Sequence, residues 1–537
     1  MNVNNTKLVM MKWVRNVVQA TALSTFAMLP AFADDMQGQL VLRAESDSGE
    51  VTGHFNVPQK RVTLRIKPLA KSEARIAIND EVVFDGTLDP DGNGQLILTD
   101  KSAVKEGDNA LEMSLQKGSL VVSVDYPTLQ PASQEHRLST AQMGLIRHAL
   151  QPYIGTDPNT SLFPGAAVLV AQKGEILFAE GQGMQQYKLL GDKSMKVLAS
   201  PLKTDADTVF DLASVTKVVS TTAAIMHLVS ERKISLQSTL GELIPTMADT
   251  DKASITVQQL LTHRAGLWQW QPTWLHKKHS RESVFAYLAA LPRRYDIGEK
   301  RAYSDIGFML LGQIVEQVTG VKQDEYVKRA IFAPLGMDGT TYKPPVSWRD
   351  RIAATSHGNP YEQGMVANAE PYPILSDPPM TDTFIGYRNY TLVGEANDGN
   401  AWYGLEGVAG HAGLFSTVRD LAIYCQTLLN GGGYGQYQLA SFETVADFLS
   451  TPYDTNQGLG FWRYEDGEGR VAYGHPGFTG TQIWFRPEDE LIVIMLTNRQ
   501  HNGLPSSGTY PSVKPAWNAL LQTIEQHIIA PRVTHNQ

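Results

Sequence analysis

The chain has 537 residues, 42% of them apolar and 19% charged, with a formal net charge of -9, which is length enough for two or more domains and a large core. The acidic balance argues against a nucleic-acid partner. The one cysteine, Cys425, excludes an intramolecular disulfide framework and a cysteine-based zinc cluster.

The first 33 residues read as an export signal. Lys12 and Arg15 precede the apolar "VVQATALSTFAMLPAF", and Ala31-Phe32-Ala33 supplies a small-x-small cleavage site. Cleavage removes Lys7, Lys12 and Arg15 and no acid, so a mature chain beginning near Asp34 carries -12. The alternative is an uncleaved anchor in the inner membrane, although an apolar run of about 16 residues is short for a span. No later segment reads as transmembrane. Export without disulfides suits a bacterial periplasm, and Cys425, in the helical pattern "DLAIYCQTLL", reads as a buried thiol.

Residues 38–127 alternate apolar and polar positions in short runs ("RVTLRIKP", "ARIAIND", "EVVFDG", "LVVSVDY") separated by Gly, Asp and Asn turns. That pattern predicts a small antiparallel β-sandwich. Within it, "DPDGNGQLILTD" places Asp89, Asp91, Asn93, Gly94 and Asp100 where a calcium loop has its ligands and turn glycine. A plain hairpin turn favours the same residues, and flanking strands rather than helices favour the turn.

Residues 128–137 read as a linker, and a second domain, α/β with an antiparallel sheet flanked by helices, is expected over 138–537. It opens with a helix near Ser139, followed by the hairpin "GAAVLVAQKGEILFAEGQG". Next comes "DLASVTKVVSTTAAIMHLV", in which Ser214 and Lys217 stand three apart at the head of an apolar helix, so that hydroxyl and amine share a face. Free N–H groups at such a helix start favour developing negative charge.

S-x-x-K recurs at Ser102/Lys105, Ser114/Lys117, Ser200/Lys203 and Ser230/Lys233. The first two fall among strands, Pro201 interrupts the third, and the fourth lies where a helix ends. Only Ser214 opens a long apolar run.

A mostly helical stretch runs to about residue 335, then a Pro/Tyr/Asp/Gly-rich segment (about 345–410) too long for an ordinary connection reads as a functional loop or lid. The chain ends with the strands "RVAYGHPGFTGTQIWF" and "ELIVIMLTN" and a helix.

A serine nucleophile needs a base, a proton for the leaving group and donors for its oxyanion. Tyr303-Ser304-Asp305 and His475-Pro476-Gly477 are the downstream candidates. With "LLTHRAGL", "YSDIGFMLLGQIVE", "FAPLGM", "NDGNAW", "GVAGHAGLFSTVRDL" and "IVIMLTNR", these motifs resemble the serine β-lactamase/penicillin-binding-protein superfamily, in its class C-like branch, most nearly the penicillin-binding proteins of the 4B type. The resemblance covers roughly three quarters of the chain and leaves out the N-terminal β-domain.

What the resemblance implies is an acyl-enzyme hydrolase without a cofactor or metal. Ser214 becomes the nucleophile, Lys217 its proton acceptor, Tyr303 the proton relay to the leaving group, and His475 the residue on the strand beside the site. The N–H groups of Ser214 and Phe478 would form the oxyanion hole, next to Gly477. Literal Y-x-N at Tyr387-Arg388-Asn389 and H-x-G at His411-Ala412-Gly413 and His501-Asn502-Gly503 are set aside on their flanking sequence.

Two departures matter. Asp305 stands where many relatives have Asn, and its charge should hold Lys217 as the ammonium, a poorer base unless Tyr303 shares the proton. His475 replaces lysine and, at an unperturbed pKa of about 6.5, is mostly neutral. The expected substrates are D-alanyl-D-alanine-type peptidoglycan peptides or other small acyl groups, with β-lactams as pseudo-substrates. Alternatives are an esterase, a weak β-lactamase, or a slowly turning-over wall-binding or sensor protein. His357, Asp398 and His411 read as hydrogen-bonding groups that hold the loop rather than as a metal site, whereas Trp268, Trp270 and Trp274 could line a cleft or pack a loop.

Overall fold

A computed structural model describes residues 42–529, apart from 46–48, 58–62, 92–95, 99–102, 106, 192–193, 277–279, 376–383 and 385. The export signal and its cleavage site lie outside the described residues. Among the described residues no helix is long and apolar enough to cross a membrane.

The chain divides into two compact units, Met1–Thr128 with Thr427–Ala446, and Leu129–Gln426 with Asp447–Gln537. In the first, six strands form one antiparallel sheet built on two long strands, Thr63–Ile78 and Gly107–Asp125. Each long strand serves two short partners: Gly49–Val57 and Leu42–Glu45 pair with different parts of Gly107–Asp125, as Glu81–Leu88 and Leu96–Leu98 do with Thr63–Ile78. Register shifts between Pro68 and Ala74 bulge the shared ladder, and bulges bend and twist a strand. Ile66, Ile76, Ile78, Leu111, Met113, Leu115 and Leu120 fill the resulting core. The expected antiparallel fold is present, with its two long strands common to both halves.

At the calcium candidate, the Asp91 N–H donates to Asp89 Oδ1 at 3.0 Å, an ordinary Asx turn. Asn93, Gly94 and Asp100 lie outside the described residues, among which no cluster of three potential metal ligands occurs.

The 427–446 segment adds a short hairpin, Gly433–Tyr434 with Tyr437–Gln438. The Tyr126 N–H donates to Gly435 O at 2.7 Å, and Asn430 Nδ2 to Pro127 O at 2.7 Å. Gly433 lies flat against the Tyr126 ring, where any Cβ would collide.

The second unit is organised by one sheet in the order Ser194–Lys203, Glu175–Gly191, Gly165–Gln172, Leu491–Thr497, Thr481–Arg486, Val471–Gly477, Trp462–Glu465. All of these neighbours are antiparallel. Gln130–Pro131, within the stretch read as a linker, adds a short parallel edge to Glu175–Gly191.

The central strands "GAAVLVAQ" and "LIVIMLT" are apolar throughout because both of their faces are covered. Val168, Val170, Val493 and Met495 pack on one face against helices Thr140–Leu150 and Lys514–His527, through Ile146, Leu150, Trp517, Leu520 and Ile524. Early and late strands therefore close one sheet. The helix opening at Thr140 is set by Ser139, whose hydroxyl accepts the Gln142 N–H in a capping box.

Candidate active site

Ser214 stands on a strand-turn-helix corner. The strand Phe210–Asp211 pairs with Leu414–Ser416, which also pairs with Thr341–Tyr342. The turn is tight: Ala213 has φ +46°, a left-handed value unusual for a residue with a Cβ. The buried Asp211 carboxylate secures it by accepting the Ala213 N–H at 2.8 Å and the Asn397 N–H at 2.7 Å.

The helix expected to start at Ser214 differs in its first turns. Ala213–Val215 is a 3₁₀ turn, Lys217–Thr222 is a wide π turn, and regular α-helix begins only at Ala223. Such widened turns cluster at functional sites. Here the wide turn carries Lys217, and side-chain contacts grip it from outside: Tyr424 Oη donates to Val218 O at 2.7 Å and Thr221 Oγ1 to Gly410 O at 2.6 Å.

Lys217 is fully buried. Its Nζ donates to Ser214 Oγ at 2.9 Å and to His411 O at 3.2 Å, and stands 2.7 Å from Asp305 Oδ1. Burial alone would lower the pKa of this amine, but the Asp305 carboxylate and the Tyr303 phenol outweigh it, and the net shift is upward. Lys217 is thus an ammonium at neutral pH, as Asp305 led us to expect.

Tyr303 precedes helix Asp305–Thr319, whose N-cap, Ser304, accepts the Gly307 N–H at 3.1 Å and donates to Trp268 O at 2.6 Å. The Tyr303 ring lies under the Lys217 ammonium, 5.0 Å from Nζ, and its hydroxyl interacts with Lys217 and Ser214. Its pKa is raised, by burial first and by Asp305, against the lowering pull of Lys217.

His263, in "LLTHRAGL", braces this corner. Its Nδ1 accepts the Ser304 N–H at 3.1 Å, its carbonyl accepts the Ala302 N–H at 2.8 Å, and its ring lies 4.5 Å from that of Tyr303. Nothing in the motif pattern assigned it that position.

His475 is buried on the strand Val471–Gly477, with its ring 5.9 Å from Tyr303 and 5.6 Å from Trp462. Its Nδ1 lies 2.6 Å from Pro476 O, while Nε2 has no hydrogen-bond partner among the described residues. Burial and the Lys217 charge push its pKa down to about 3. The imidazole is more firmly neutral than its unperturbed value implies.

The turn after this strand and the start of the next strand, Thr481–Arg486, are stitched to the nucleophile turn. Thr479 Oγ1 donates to Asp211 O at 2.7 Å, and Thr481 Oγ1 to Leu212 O at 2.9 Å. A Cβ on Gly477 would strike Leu212 O, so glycine lets the two backbones meet.

Of the candidates set aside, His411 lends only its carbonyl to Lys217, and the other two lie elsewhere. Tyr387 packs with Trp274, Tyr403 and Phe384, and His501 accepts the Tyr187 N–H through Nε2 at 3.2 Å. Trp270 and Trp274 are buried in that aromatic cluster, and Trp268 donates to Pro292 O at 2.9 Å, so all three pack the fold. Asp398 meets His411 at 2.9 Å, whereas His357 bonds instead to Thr391 Oγ1 at 2.7 Å and His501 O at 3.0 Å. The three do not form a cluster. Cys425 is buried, and burial pushes its thiol pKa up.

Residues 150–511 match the beta-lactamase family. The chain belongs to that family. Among curated proteins, this family member is 31% identical over 418 residues to a Salmonella heidelberg protein named "Putative D-alanyl-D-alanine carboxypeptidase", covering 73% of this chain and 90% of that one. Among solved structures it resembles the octameric penicillin-binding protein homologue from Pyrococcus abyssi (TM-score 0.51, 22% identity, 73% of this chain and 78% of that one). It also resembles a penicillin-binding protein homologue from Caulobacter crescentus (TM-score 0.51, 21% identity, 72% and 98%). The beta-lactamase-family chain therefore has the fold of penicillin-binding protein homologues and is a serine hydrolase of that superfamily.

Proposed function

We propose that the protein is an exported, periplasmic serine hydrolase that acts as a D-alanyl-D-alanine carboxypeptidase on peptidoglycan peptides and is acylated by penicillins. The observation that carries this reading is the convergence of Ser214 Oγ, the Tyr303 hydroxyl and Asp305 on one buried ammonium, Lys217. The family relationship to proteins named carboxypeptidases supports the substrate class.

The competent form of the site is the one in which the Lys217–Tyr303 pair has lost a proton. Ser214 Oγ attacks the carbonyl carbon of the penultimate residue as its proton passes to the pair, and the N–H groups of Ser214 and Phe478 receive the oxyanion. The C–N bond then breaks, the pair returns that proton through Tyr303 to the departing amine, and D-alanine leaves. Water repeats the sequence to free the acyl chain. His475, neutral and tied to Pro476 O, supplies shape and an unpaired ring nitrogen instead of a charge.

The test is intact mass over time with a penicillin, run beside Ser214→Ala, together with assay of D-alanine release from a D-alanyl-D-alanine peptide. A single adduct and D-alanine release, both absent in the variant, are expected. Wild type indistinguishable from Ser214→Ala in both assays would sink the reading. The neutrality of His475 favours a second reading, an esterase, which short acyl esters cleaved far faster than peptides would identify.

A further inference from the structure

A peptide ending in D-alanine brings a carboxylate next to the bond to be cut. Neither cationic candidate of the motifs can meet it. Lys217 is enclosed by Ser214, Asp305 and the His411 carbonyl, and His475 is neutral.

Arg499 can. It follows the central strand Leu491–Thr497 in the short turn Arg499–Asn502, and its guanidinium lies 4.8 Å from the centre of the Phe478 ring, three residues beyond His475. Gly480 packs against its stem: a Cβ there would strike Thr497 Oγ1 and lie 3.3 Å from Arg499 Cγ. Nη1 donates to Pro511 O at 2.9 Å. Neither the buried Nε nor Nη2 makes a hydrogen bond among the described residues, so one whole edge of the fork is unpaired there.

The Tyr510 hydroxyl, in electrostatic reach of Arg499, is likewise buried without a hydrogen-bond partner among the described residues. Tyr361 completes the wall, its ring 5.1 Å from Phe478 and 6.0 Å from Tyr510. The fully buried arginines differ from this half-buried one: Arg281, Arg388 and Arg486 have carboxylates at 3.0, 3.3 and 2.6 Å. A partly desolvated guanidinium without an anion is costly, and a guanidinium edge with two unpaired N–H groups matches a carboxylate bidentately.

We propose that the open edge of Arg499, with the Tyr510 hydroxyl, is an anion subsite that takes the terminal carboxylate of the departing D-amino acid. The identity of that ligand rests on the carboxypeptidase reading. Arg499 thereby holds the charge that a strand lysine would otherwise hold.

The experiment is calorimetric titration of the full chain carrying Ser214→Ala, which cannot be acylated, with N-acetyl-D-alanyl-D-alanine and with its C-terminal amide. The acid should bind at least about 10-fold more tightly than the amide, as charge-assisted hydrogen bonds of this kind provide. Adding Arg499→Gln should bring the two affinities together, and Tyr510→Phe should narrow the gap several-fold. Tyr510→Phe stands as the independent variant if thermal melting shows Arg499→Gln to be unfolded. Equal affinities for acid and amide, binding of neither, or a preference that the folded variants leave intact would overturn the subsite. D-alanine release by the chain with Ser214 intact judges the carboxypeptidase reading separately, so either can fail while the other stands.

Discussion

Asp305 is the residue on which the proton economy of the site turns. Its carboxylate, 2.7 Å from Lys217 Nζ, favours the fully protonated Lys217–Tyr303 pair and makes the competent form scarce. Asp305→Asn should therefore raise the penicillin acylation rate at pH 7, by roughly 10-fold for each pKa unit that the pair falls. The acid limb of the rate profile should move to lower pH. Slower acylation with an unmoved limb would show that the carboxylate assists rather than restrains. His475 leads to a different expectation: with its pKa pushed down to about 3, acylation between pH 5 and 8 should show no imidazole step. A limb near 6.5 that vanishes in His475→Gln would contradict this. The same depression makes the native state lose stability as pH falls from about 6.5 toward 3, because the unfolded imidazole takes up its proton first.

Ser214 and Lys217 were legible because spacing and an apolar run sufficed to choose among five S-x-x-K pairs. Tyr303 and His475 needed the family resemblance, since a tyrosine before a helix is common. His263, Asp211 and Arg499 were missed for a physical reason. Each matters through a contact that only the folded chain creates: a ring against Tyr303, a carboxylate under the Ala213 turn, a guanidinium edge left open.

At the scale of elements, strands were readable wherever apolar residues ran unbroken or alternated, and the wide π turn after Ser214 was not. "VTKVVSTTAAIMHLV" has the pattern of a regular helix, and the widening depends on Tyr424 and Gly410 gripping it from distant parts of the sequence. Gly410 is the critical wedge. A Cβ there would run into Phe308 O and the backbone of Gly312, in the helix that begins at Asp305. Gly410→Ala should cost roughly 1–3 kcal/mol, the usual penalty of overpacking a core. It should also slow acylation by shifting the helix that carries Asp305. Denaturant melts and adduct kinetics measure the two effects; an unchanged midpoint would mean that the contact relaxes freely.

For the molecule as a whole, the hairpin of Thr427–Ala446 belongs to the unit formed by the first strands, an assignment that composition and periodicity could not make. The segment is separated from its partner Tyr126 by some three hundred residues, and no local pattern records which face it meets. Global stability should also respond to a half-buried acid of the second unit. Glu362 accepts the Gly399 N–H at 2.7 Å and the Asn359 amide at 2.7 Å, yet burial and the nearby Asp398 push its pKa up to about 8. Its stabilising contribution is complete below about pH 4.5 and is lost as pH rises through 8. Asp211, raised to about 6 chiefly by burial, adds a loss of the same sign at lower pH. Melting temperature should accordingly fall less steeply between pH 5 and 9 in Glu362→Gln than in wild type. Parallel curves would refute the assignment.

The three-stranded sheet behind Ser214 has an evolutionary corollary. Thr341–Tyr342 and Leu414–Ser416 are adjacent strands, so residues 343–413 depart from and return to a single clasp. The entropic toll of a longer loop between fixed ends grows only logarithmically. Insertions and deletions in the part of that span that precedes Asn397, Gly410 and His411, which hold the nucleophile turn and Lys217, can therefore be sampled with the nucleophile left in register, and one acylating serine can be offered to new acyl groups by redrafting the excursion above it.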